Sequence, residues 1–136
     1  MAHEGNVIIC KVGRWDLSRW QKKFASHLKQ ENVQYAIREI YLQMTEKYVP
    51  YKTGALTKSG RVLKNGIYWG YNKKHPKYAI YPYYGITKGD KPMSYNKRFH
   101  PLARSYWDEA VFENEMDGFK KRVTRRLKDI AREERW

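Results

Sequence analysis

The chain has 136 residues and a mass of 16.4 kDa, with 28 Lys plus Arg against 14 Asp plus Glu, a net charge of +14. That length suits one domain, residues 1–136, with a modest core, and the charge anticipates an anionic partner, either nucleic acid or an acidic protein. A single cysteine, Cys10, excludes an internal disulfide, and no apolar run approaches the roughly 20 residues of a bilayer-spanning helix or a signal-peptide core. A soluble protein made in a reducing cytoplasm, with no membrane partner, is the expectation.

The charge is unevenly placed. Residues 1–46 carry +2, residues 47–104 carry +12, residues 105–118 carry −5 and residues 119–136 carry +5. The basic middle also holds nine of the 12 tyrosines. Tyrosine mixed with lysine suits half-buried strands and protein interfaces, and it can also stack bases beside phosphate contacts.

Val7 to Val12 is a β-branched run between Gly5 and Gly13, read as a strand or an extended arm within residues 1–16. Cys10 lies among its apolar residues and reads as a small buried hydrophobe. Asp16 or Ser18 can cap a helix over about 17–47. Its first stripe is Trp20, Phe24 and Leu28; its second is Val33, Ile37, Ile40, Tyr41, Met44 and Tyr48. The five-residue step from Leu28 to Val33 marks a kink or a break. Pro50 ends the helix by lacking an amide and by forcing Val49 out of the helical region. Thr53 and Gly54 supply turn chemistry, and Ala55 to Ser59 fits one helical turn.

Arg61–Lys64 and Ile67–Tyr71 flank Asn65-Gly66, which predicts a β-hairpin. Tyr78 to Tyr84 is rich in strand formers, with Pro82 implying an edge or a strand end. Residues 85–100 read as an exposed loop. Pro101, and Ser105 with Asp108 three residues on, suggest the start of a last helix whose apolar stripe runs from Trp107 through Val111, Phe112, Met116, Phe119, Val123 and Leu127 to Ile130. Gly118 is a candidate bend. The fold class expected is α+β: two long helices on a small antiparallel sheet.

Catalytic chemistry is not indicated. The four histidines have no metal-ligand spacing, and no glycine loop cradles phosphate. His75 and His100 could serve as an acid and base pair for RNA cleavage, but Asp90 is the one acid between residues 47 and 104. No cofactor is expected. Cations placed to meet DNA or an acidic partner are Lys73, Lys74, Lys77, Lys88, Lys91, Lys97 and Arg98 in the middle, and Arg122, Arg125 and Arg126 on the last helix.

Three stretches together resemble a family of tailed-phage minor capsid or head-to-tail joining (tail completion) proteins. Tyr48-Val49-Pro50-Tyr51-Lys52-Thr53-Gly54-Ala55-Leu56, with Ser59, resembles a signature turn following the N-terminal helix. Pro76-Lys77-Tyr78-Ala79-Ile80-Tyr81-Pro82-Tyr83-Tyr84-Gly85 is similar to a tyrosine-rich segment, and the stretch from His100 and Pro101 through Trp107 to Ala110 is similar to a closing signature at the head of the last helix. Lys52 stands where the family commonly has aspartate, and Lys77 interrupts the usual Pro-Tyr-Ala. The resemblance implies a virion structural protein of the neck, without enzymatic activity. Its implied partners are itself in a ring-like homo-oligomer, portal, adaptor or stopper proteins, tail terminator or tail tube proteins, and packaged DNA through phosphate contacts. Pro50, Thr53, Gly54, Ala55, Leu56, Ser59, Tyr78, Ala79, Tyr83, Tyr84, Gly85, Pro101 and Trp107 are then its assembly residues. The alternative is a free-standing basic nucleic-acid-binding domain.

Overall fold

The computed structural model describes residues 3–4, 7–10, 30–51, 55–63, 66–70, 79–87 and 89–134. The first half of the expected N-terminal helix, with its Trp20, Phe24 and Leu28 stripe, lies outside these residues. From Gln30 the helix is present: α1 runs Gln30–Thr45 and tightens into a 3-10 turn at Glu46–Tyr48. Val33, Ala36, Ile37, Tyr41, Met44 and Tyr48 are buried, at helical spacing on one face. Val49 is extended (φ −75°, ψ 128°), as a residue before proline should be.

Four short strands form one antiparallel sheet in the order β1 (His3–Glu4), β2 (Val7–Cys10), β4 (Gly66–Trp69), β3 (Arg61–Leu63). The N-terminal run therefore pairs within its own chain, with Cys10 opposite Ile67 and Ile8 opposite Trp69. In the hairpin Val62 faces Ile67 and Leu63 faces Gly66, so Gly66 belongs to the ladder. This register sets apolar Val62 against buried Ile67; centring the turn on Asn65-Gly66 would seat Lys64 there instead. A one-turn helix, α2 (Ala55–Lys58), precedes β3. After it, Gly60 lies so close to its neighbours that a Cβ would fall 2.8 Å from Leu42 Cδ1 and 2.9 Å from Trp69 Nε1.

The tyrosine-rich segment is helical, which overturns the strand expected over Tyr78–Tyr84. α3 spans Ile80–Tyr84. Pro82 falls in its first turn, where amides have no intrahelical acceptor and a missing one costs nothing. Buried Ala79 and Tyr83, four residues apart, give it an inner face. Gly85 closes it in the left-handed region (φ 72°), with the Gly85 and Ile86 amides both donating to the Tyr81 carbonyl at 2.9 and 3.1 Å. Strand-forming composition lost here to helical spacing and capping.

The last helix is also shorter than its apolar stripe implied. Tyr106 takes a left-handed conformation (φ 49°), a 3-10 turn follows at Trp107–Glu109, α4 covers Ala110–Asn114, and α5 covers Met116–Glu134. Pro101 therefore precedes the helical region, and Ser105 and Asp108 form no capping box. The break falls at Glu115 (φ −135°), while α5 runs unbroken through Gly118, the expected bend. Phe112, placed in the stripe by spacing, is exposed. Phe119, Val123, Leu127 and Ile130 are buried, and α5 lies along α1, with the Phe119 and Tyr41 rings edge to face at 5.5 Å. The architecture is α+β, with one continuous core shared by sheet and helices.

Candidate assembly site

The three segments that carry the resemblance converge. The 100–107 segment is the hub: the Arg104 amide donates to the Tyr48 carbonyl at 3.1 Å, and the Tyr106 amide donates to the Tyr83 carbonyl at 2.8 Å. His100 Nδ1 lies 2.7 Å from the Val49 carbonyl, and since that oxygen can only accept, Nδ1 carries the proton. Its ring meets Tyr51 edge to face at 5.0 Å. His100 thus staples the helix-ending Val49-Pro50 pair to the closing segment.

Beneath this surface is an aromatic block. Trp107 is fully buried and meets Trp69 at 6.2 Å and Tyr83 at 5.1 Å, both edge to face. Tyr83 also packs on Tyr84 and Tyr106 at 5.0 and 5.1 Å. The Tyr83 phenol donates to Asp108 Oδ1 at 2.8 Å, and burial together with the Asp108 charge pushes its titration far above the ordinary tyrosine range. The Asp108 carbonyl accepts from the Tyr41 phenol and, at 3.8 Å, from the Cys10 thiol. Asp108 is buried, so α1, β2 and α3 all meet at one residue. Sequence reasoning missed this role; the available signal was an acid set among Trp107, Ala110 and Val111.

A second polar knot sits at the α4–α5 break. Glu115 accepts from Lys47 Nζ at 2.6 Å and from the Tyr48 phenol. Burial raises the Glu115 pKa, but the hydrogen bonds from Lys47 and Tyr48 outweigh it and hold the carboxyl below its usual range. Burial first, then Glu115, pushes the Tyr48 phenol up to about 12.

Around this framework the surface is apolar in places. Phe99, Leu102, Tyr106 and Phe112 are large and exposed. A groove of about 350 Å³ is walled by Pro50, Tyr51, Pro82, Met93 and Tyr95, with the Tyr51 ring 5.0 Å from that of Phe99 and the Tyr95 phenol donating to the Pro82 carbonyl at 2.7 Å. The 85–100 loop is thereby tied to α3, although Lys91, Lys97 and Arg98 are exposed as expected.

The anticipated assembly residues fall into groups. Leu56, Ala79, Tyr83 and Trp107 are core residues. Ser59 is a local brace, its hydroxyl donating to the Leu56 carbonyl and accepting from the Gly70 amide. Gly85 caps α3, Ala55 opens α2, Pro50 and Tyr84 are half-buried, and Pro101 is exposed. Arg122, Arg125 and Arg126 are exposed on α5, remote in sequence from this site. Thr53, Gly54, Lys73, Lys74, His75, Lys77, Tyr78 and Lys88 lie outside the described residues. Among the described residues no cluster of His, Cys, Asp and Glu could hold a metal, and no helix is long and apolar enough to cross a membrane.

No curated protein and no solved structure matches the chain. A family model described as minor capsid protein matches residues 11–127, which takes in α1, the hairpin, α3, the hub and most of α5. A match of that extent, over the same segments that the hub ties together, shows that the chain belongs to the minor capsid protein family of phages.

Proposed function

We propose that this virion structural protein acts in the phage neck, joining the head at its portal or connector to the tail, or completing the tail. The carrying observation is the convergence of all three segments on a hub whose rim exposes Phe99, Leu102 and Tyr106. Buried members of those segments set the shape, and exposed aromatic and aliphatic side chains supply the apolar centre that a protein interface needs. Tyr106 supports this most directly: it is 41% exposed, yet its backbone is held in a left-handed conformation that a bulky residue rarely adopts. Partners of this rim are further copies of the chain in a ring, portal, adaptor or stopper subunits, and tail terminator or tail tube subunits.

Light scattering of the purified chain, alone and mixed with portal, adaptor, stopper, tube or terminator proteins, tests the reading. The expected result is a defined complex with one of them that is weakened at least tenfold by Leu102→Ser with Tyr106→Ser. Persistent lack of association with every one would overturn the neck assignment. The second reading, a free nucleic-acid-binding domain, is favoured by the charge of +14 and would replace the first if the chain bound nucleic acid but no virion protein.

A further inference from the structure

We propose that the outer face of α5 binds the phosphate backbone of duplex DNA without reading its sequence. The buried stripe of Phe119, Val123, Leu127 and Ile130 fixes the helix's rotation, so Lys121, Arg125 and Lys128, at spacings of four and three, fall on the opposite side. All three are exposed, and with Lys120 and Thr124 they line a shallow cleft of about 380 Å³. Its lining is four cations and a hydroxyl, with no carboxylate. Of the acids of α5, Asp129 pairs with Arg132 at 2.6 Å and Glu133 with Arg126 at 3.7 Å, and Asp117 lies in the first turn, four residues before Lys121. Among the described residues Lys120, Lys121 and Arg125 have no ion-pair partner. Lys121 to Lys128 covers about 10 Å of helix, roughly three base pairs of duplex.

Surface chemistry selects the ligand. Protein interfaces are depleted of lysine and organised on apolar anchors, and the exposed large hydrophobics among the described residues all lie outside α5. Single strands are held by stacking bases on aromatic rings, and the one aromatic side chain of the described α5, Phe119, is buried. A cationic ridge with neither feature matches a dense line of phosphates held in a duplex. The proposal stands apart from the neck reading, since neither the hub nor its rim contributes a residue.

The test is fluorescence anisotropy of a labelled 20-base-pair duplex with the full chain. With three to four phosphate contacts, affinity falls roughly 40- to 150-fold between 50 and 200 mM salt. Lys121→Ser with Arg125→Gln should weaken binding at least tenfold and flatten the log–log salt slope by about 1.8, with an unchanged melting temperature. Lys91→Ser with Lys97→Ser removes the same charge from the 85–100 loop and should leave the slope unchanged. Equal loss in both variants would overturn the proposal, leaving net charge alone as the attraction. Undiminished binding by the α5 variant would also overturn it. So would competition by single-stranded DNA equal to that by duplex, or competition by polyglutamate equal per charge, which would point to an acidic protein partner.

Discussion

At single positions, the two glycines Gly85 and Gly118 make opposite demands. Gly85 sits at φ 72°, and a Cβ there would lie 3.1 Å from Tyr95 Oη and 3.3 Å from Ser105 Cβ. Gly85→Ala is therefore expected to lower stability by about 1 kcal/mol or more from the backbone conformation alone. Gly118 lies inside α5, and a Cβ there would meet nothing nearer than Met44 Cε at 3.9 Å. Gly118→Ala should raise stability by about 0.5–1 kcal/mol, because alanine narrows the unfolded ensemble and suits a helix interior. Urea titration of both variants checks the pair of signs.

Among the elements, the α4–α5 break has its own pH signature. Glu115 titrates lower in the folded chain than in the unfolded one, so the folded state binds fewer protons in that range. Its stabilisation is fully present above the ordinary carboxylate range and is lost as pH falls through the lowered value. Glu115→Gln should therefore be less stable than the parent at pH 7, with the gap closing well below a pH of about 4. A gap that persists at low pH would assign the effect to packing. α1 was legible from sequence because one stripe, Val33 to Tyr48, fixed both its type and its buried face. α3 was not: five aromatic or β-branched residues suggested a strand, whereas the deciding facts were Ala79 and Tyr83 on one face and the Tyr83 phenol meeting Asp108, 25 residues away. The stripe from Trp107 to Ile130 had helical spacing throughout, but Lys47 and Tyr48 holding Glu115 at the break are tertiary contacts that no local pattern carries.

For the molecule as a whole, the class and the hairpin could be read from residue patterns, while the joining of β2 to β4 could not, because 57 residues separate Cys10 from Ile67 and neither strand names its partner. The anticipated assembly residues were named through resemblance alone. Their chemistry explains why: Leu56, Ala79, Tyr83 and Trp107 shape a core, and a core residue has no signature beyond being apolar. What the fold does with that core is bring the N-terminal strand against the closing segment, with the Cys10 thiol pointing at the Asp108 carbonyl across 98 residues of sequence. Because it is the chain's one sulfhydryl and only 5% exposed, it can serve as a built-in clock for breathing of the particle component. Alkylation in native buffer should run on the order of a thousandfold slower than in urea, and its rate would time how often the first strand peels from its neighbours. Rapid stoichiometric labelling of the native chain would mean that this seam stands open. Repeated on assembled virions, the same reaction would reveal whether incorporation clamps the strand or pulls it loose.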